Sequence, residues 1–306
     1  MFRIFQTTLI KPLCFKGIGL HSGSNSEIKI LPSEANSGIN FKRLDVEKNN
    51  IIHANYKKVT SAKLCTTLEN DYGVKVSTVE HLLAALYIAE IDNALIEINT
   101  EEVPIMDGSA KNFIDIIKNS EVKTLPIKRK YLKIINKFEF IDGKRKISIE
   151  PNDTFSVEFE LDYKNKLIGK QKNNVDFQKD NLDEIIESRT FCLYEDIEKI
   201  KKIGLAKGGS LENAIVVDKN KVLNEGGLRN QKEFVNHKIL DLAGDFVLSG
   251  HRIIGKVKCH QGGHELSNLF LKNLLLEKKE NFSIIELNNE YSTKFSGNFT
   301  QLAANA

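Results

Sequence analysis

Cysteine is scarce: the four in 306 residues, Cys14, Cys65, Cys192 and Cys259, lie far apart with no CxxC pair. That excludes a disulfide framework and a thiolate zinc cluster, and makes a reducing compartment the expectation. Long apolar runs are missing too. No stretch approaches the ~20 apolar residues that cross a bilayer, and the opening MFRIFQTTLIKPLCF lacks the apolar core and small-residue cleavage site of a secretion signal. The chain is therefore read as cytoplasmic, without stable membrane insertion. Charge of one sign is also lacking, with 44 Lys and Arg against 41 Asp and Glu. With no basic arm, nucleic acid is not an expected partner. Short basic runs such as Lys128-Arg129-Lys130 and those between Lys199 and Lys202 read as solvated faces.

What is present is globular in character: 41% apolar and 28% charged residues, over a length that suits two cores better than one. The stretches TTLIKPLCF, GIGLHSGS, SEIKILPS and SGINFKR alternate apolar runs with Gly, Ser and Asn turns, which predicts strands. A helical period follows in STVEHLLAALYIAEI, then a strand in NALIEINT, a turn at Val103-Pro104 and a helix in SAKNFIDIIKNS. EVKTLPIKRK combines charge with Pro126 and breaks the helical period. Residues 120–130 thus read as a linker between a first α+β domain, 1–124, and a second, 129–306. The second half repeats the order, with strands in YLKIINKFEFID, RKISIEP and FSVEFELDY and a helix in NLDEIIES. Helix FVNHKILDLAGDFVLS, strand HRIIGKVKCHQ and helix HELSNLFLKNLLLEKK follow, so a duplicated α+β plan is expected without a residue-level repeat. Between those helical parts runs an excursion longer than a simple connection. Around 192–217 it reads either as a loop-lined apolar channel or as a helix-turn-strand insert.

His237 and Asp241 are four apart and share one helix face, where an imidazole and a carboxylate can chelate a metal at ~2 Å. The same spacing also suits a plain surface hydrogen bond. Leu240, Leu242, Ala243 and Phe246 surround the pair, and a buried aspartate needs compensation by a cation or hydrogen bonds. Asp245 continues the row and could orient another group. In Ser77-Thr78-Val79-Glu80-His81, Ser77 and Glu80 have capping-box spacing. The bland reading gives Glu80 to the cap, and the chemical one gives His81 to a metal with Glu80 beside it as general base. In His260-Gln261-Gly262-Gly263-His264-Glu265 two glycines precede a helix. His264 there is either a solvent-facing cap or an acid able to protonate a leaving amine. His21, in Gly17-Ile18-Gly19-Leu20-His21-Ser22-Gly23, either lines a polar pocket or bonds to turn backbone, and His53 and His251 are read as structural.

Together these motifs resemble one family, the UDP-3-O-acyl-N-acetylglucosamine deacetylases of lipid A synthesis. The likeness spans nearly the whole chain: GIGLHSG, STVEHLLAAL, IDNALIEIN with PIMDGSA, SRTF, GGSLENAIVVD with VLNEGGLR, EFVNHKILDLAGD and GGHELSN, in that order. The resemblance implies a fold of two similar α+β domains, helices sandwiched between two sheets, with the active site at the junction. It implies that His81, His237 and Asp241 ligate Zn²⁺, Fe²⁺ being the alternative for the same set. Glu80 becomes the general base, His264 the general acid, Asp245 its orienting partner and Thr190 a stabiliser of the oxyanion. Lys238 falls near the substrate diphosphate and Phe191 beside the sugar. The insert would form a passage for the 3-O-acyl chain, with Ile197, Leu205 and Ala214 as lining candidates. The chain departs from the family pattern at Gln261, where a basic residue is expected near the phosphates, and at Asp162-Tyr163, a loose fit to a uracil contact. A monomer acting on a UDP-linked acylated amino sugar is the resulting expectation, without the dehydratase domain fused to some relatives.

Overall fold

The structure is a computed structural model that describes residues 2–288; the last part of the second expected domain, 289–306, lies outside the described residues. The first sheet runs Leu13–Ile18, Asn25–Pro32, Ala94–Ile98, Ile39–Arg43, Ile51–His53. Its strands alternate as the period-two pattern requires: Asn25–Pro32 turns Ser26, Ile28 and Ile30 into the core and sends Asn25, Glu27 and Lys29 to solvent. The second sheet is built around Arg252–His260. That strand runs antiparallel to Arg145–Glu150 and parallel to Lys130–Ile134 and Phe155–Asp162, with Phe138–Asp142, Lys170–Asp176 and Phe282–Glu286 outside.

Six α-helices are described: α1 (Glu80–Ile88), α2 (Lys111–Lys118), α3 (Asp183–Glu187), α4 (Tyr194–Lys202), α5 (Glu233–Val247) and α6 (His264–Lys272). The duplicated plan is visible in the connections. α1 leads into Ala94–Ile98 and α5 into Arg252–His260, and each of those strands pairs in parallel on one side and antiparallel on the other. The architecture is that of two similar α+β units with helices between their sheets, as expected. α1 and α5 meet across this layer, and both are buried on almost every face. Gly244 makes the meeting possible, because a Cβ there would lie 2.0 Å from the Glu80 carbonyl oxygen. One continuous apolar cluster joins Ile28, Phe41 and Leu83 of the first half to Phe159, Phe234 and Phe270 of the second.

Three local expectations need correction. Residues 120–130 are no free linker: Val122–Lys128 is a strand paired antiparallel with Phe5–Leu9. Arg129 is not on a solvated face but 3% exposed, held with Arg252 by Asp92 and Glu90. No capping box forms at α1. Val79 is its N-cap, the Ser77 hydroxyl donates to the Glu101 carbonyl, and the Glu80 side chain turns inward. Of its two readings, the excursion takes the helix-turn-strand one, in which Phe191–Leu193 and Ile215–Asp218 pair in parallel with α4 between them. Its Gly208 lies so close to the GIGLHSG loop that a Cβ would be 2.3 Å from the Gly19 carbonyl oxygen. Among the described residues no helix is long and apolar enough to cross a membrane.

Candidate metal centre

Asp241 Oδ1 is buried with no hydrogen-bond partner among the described residues, although it belongs to a carboxylate held strongly ionised. Burial pushes the Asp241 pKa up, but the groups at His237 and Lys238 outweigh it and hold it well below the usual carboxylate range. Around this orphan oxygen stand His237 Nε2 at 3.2 Å and His81 Nε2 at 3.4 Å, with the two rings edge to face. Two ligands at ~2 Å from a tetrahedral cation are about 3.3 Å apart, so the spacing matches a shared metal. The tautomer agrees. His237 Nδ1 faces the Ser188 carbonyl at 3.1 Å, which can only accept, so Nδ1 carries the hydrogen and Nε2 keeps its lone pair. Burial lowers the His237 pKa to about 3, which keeps the ring neutral as a ligand must be. His81, His237 and Asp241 therefore fit a divalent cation.

Two titratable side chains flank this set. Glu80, 2% exposed, accepts the Thr66 backbone N–H at 3.0 Å on Oε2 and presents Oε1 to His264 Nε2 at 3.8 Å. Burial raises its pKa, with His264 and His81 working against the rise. His264 opens α6 but is 7% exposed, so it is no solvent-facing cap. Its Nδ1 lies 2.9 Å from Asp245 Oδ2, and its Nε2 is 3.8 Å from Asp241 Oδ2. Burial works against the imidazolium, yet Asp245, Glu80 and Asp241 raise its pKa to about 10. The chain before α6 is closely packed at Gly262, where a Cβ would lie 2.2 Å from Cys259 Sγ.

Lys238 donates to Asp241 Oδ2 at 2.9 Å and lies 5.6 Å over the Phe191 ring. Burial disfavours its ammonium, but Asp241 holds the pKa above the ordinary value. Phe191 also meets Phe234, His237 and Tyr163. Asp162, Tyr163 and Lys238 line a cleft of about 730 Å³ that also carries Lys164, Lys166, Lys219 and Gln261. Thr190 sits between Ser188 and Phe191, pinned by its N–H to the Gly108 carbonyl and by its own carbonyl to Ile215. His21 is buried, takes a 3.4 Å hydrogen bond from Ala206 N–H on Nδ1, and leaves Nε2 without a partner among the described residues. Burial and the nearby His264 and His81 lower its pKa against the pull of Glu102.

The family model for UDP-3-O-acyl N-acetylglycosamine deacetylase matches residues 6–276. The chain belongs to that family. Among its relatives, the UDP-3-O-acyl-N-acetylglucosamine deacetylase of Geotalea uraniireducens is 40% identical over 284 residues, 92% of each chain. Those of Shewanella frigidimarina and Shewanella baltica are 40% identical over 278 residues, 90% of this chain and 91% of theirs. As a member of the deacetylase family the protein is an enzyme.

Several supporting residues of this deacetylase-family site escaped the sequence reading. The carboxylate of Glu233, fully buried, accepts Arg189 Nε and two backbone N–H groups, which fixes the segment bearing Thr190 and Phe191 to the start of α5. Glu102 accepts from the backbone of His21 and Ser22 and from the Thr78 hydroxyl, tying the glycine loop to the start of α1. Thr66 touches both Glu80 and Asp245. Little local in the sequence marks them, because all their partners except Glu80 for Thr66 and Arg229 for Glu233 lie 24 to 179 positions away.

Proposed function

We propose that the protein removes the N-acetyl group of UDP-3-O-acyl-N-acetylglucosamine with a bound Zn²⁺, yielding the free amine and acetate in the committed step of lipid A synthesis. The observation that carries this reading is the orphan oxygen of Asp241, flanked at tetrahedral spacing by two imidazole nitrogens. His81, His237 and Asp241 would hold the cation. When bound, such a cation lowers the pKa of a water from roughly 15.7 to about 7 and polarises an acyl oxygen; Fe²⁺ offers the same chemistry to the same ligands. Glu80, buried and raised in pKa, takes the proton of the attacking water. The Thr190 hydroxyl stabilises the oxyanion that forms at the acetyl carbon. His264, held protonated by Asp245, donates to the nitrogen as the C–N bond breaks.

The lysines of the neighbouring cleft suit a diphosphate, which compensates for Gln261 where a base was expected. Lys238 contacts that diphosphate, Phe191 packs on the sugar, and Asp162 and Tyr163 receive the nucleotide end. Ile197, Leu205 and Ala214 line the acyl passage of the insert. The unit of action is a monomer of two domains, 1–124 and 129–306. All four thiols are free, which fits the cytoplasm.

Acetate release from the nucleotide sugar, measured before and after chelation and again with one equivalent of Zn²⁺, tests substrate and cation together. Activity lost and restored is the expected result. Binding of the nucleotide sugar without acetate release overturns the reading in favour of a silent binding protein.

A further inference from the structure

We infer that Thr66 is a positioning residue that sets the general base and the general acid against one another. The inference rests on the roles proposed for Glu80 and His264. Each of two carboxylates has one oxygen directed at the centre and one directed away. Thr66 holds the outer oxygen of both: its backbone N–H donates to Glu80 Oε2 at 3.0 Å, and its hydroxyl donates to Asp245 Oδ1 at 2.6 Å. Thr66 itself is 2% exposed and lies outside the lysine-lined cleft.

The terminal torsion of a carboxylate is soft, so one hydrogen bond leaves it free to swivel and a second on the other oxygen fixes its plane. With Oδ1 committed to Thr66, Asp245 can meet His264 Nδ1 only through Oδ2, at 2.9 Å. That pair aims the opposite ring nitrogen at the centre, 3.8 Å from Glu80 Oε1. Since Thr66 also holds the far side of Glu80, the two proton carriers are referenced to one residue. It stands just before the strand Thr67–Glu69 of the first half, whereas Asp245 and His264 belong to α5 and α6 of the second. The acid–base pair is thus registered across the junction between the halves by a single side chain and its own peptide.

Thr66→Val keeps the shape and the backbone N–H but removes the hydroxyl; Thr66→Ser keeps the hydroxyl. In the zinc-loaded enzyme, Thr66→Val is expected to lower kcat by about 10- to 100-fold while KM, bound zinc and Tm stay near wild type. Thr66→Ser should restore most of kcat. The downfield proton signal of His264 Nδ1–H, assigned by its loss in His264→Gln, should shift or broaden in Thr66→Val and persist in Thr66→Ser. Wild-type kcat and an unchanged signal in Thr66→Val would overturn the inference, as would equal damage from Thr66→Ser. The proton signal reads the alignment whether or not acetate is released, so failure of the deacetylase reading and failure of this inference are distinguishable.

Discussion

Glu80 and His81 are neighbours in sequence with separate proposed duties, and single substitutions should separate them. Glu80→Ala leaves the three ligands in place, so bound zinc measured by elemental analysis should remain near one equivalent while kcat falls by roughly 10²- to 10⁴-fold. His237→Ala or Asp241→Ala should remove zinc and turnover together, because each deletes a proposed ligand from a set of three. Zinc lost from Glu80→Ala, or full turnover in it, refutes the division. The separation comes from direction: His81 aims Nε2 at Asp241, while Glu80 is drawn the other way by the Thr66 N–H.

At the level of elements, the crossing of α1 and α5 decides whether the site exists. Gly244→Ala would drive a methyl group onto the Glu80 carbonyl, and main chain cannot give way as a flexible side chain can. It should lower Tm by several degrees and depress turnover even in the fraction that stays folded. Gly263→Ala meets open space on extended backbone and should leave Tm unchanged. Equal thermal melts for the two variants sink the argument. α5 was legible in the sequence because its apolar period and the His237/Asp241 spacing agree. The capping of α1 was not, because a tertiary hydrogen bond from Thr66 took the Glu80 side chain that a local cap would use. The strand Val122–Lys128 looked like a linker because its partner, Phe5–Leu9, lies more than a hundred positions earlier.

On the scale of the whole molecule, the centre ties stability to pH. His237, whose folded pKa is about 3 against 6.5, resists a proton that the unfolded chain accepts, so stability is lost as pH falls below 6.5. His264, at about 10 against 6.5, contributes stability that is complete below pH 6.5 and disappears as pH rises through 10. The cation-free protein should therefore melt highest near pH 6.5, with an alkaline decline that His264→Gln flattens. A Tm that does not change from pH 6.5 to 10 contradicts the pairing of His264 with Asp245. The sequence by itself determined the duplicated α+β order, the helix bearing His237 and Asp241, and, through ordered motifs, the family, because strand and helix periods and one-turn spacings are local properties of a chain. Only the tertiary structure decided which oxygens are free. The orphaned Asp241 oxygen, the inward turn of Glu80 and the double hold of Thr66 all depend on partners brought from distant parts of the chain. A carboxylate buried there takes whichever donor the packing leaves within reach.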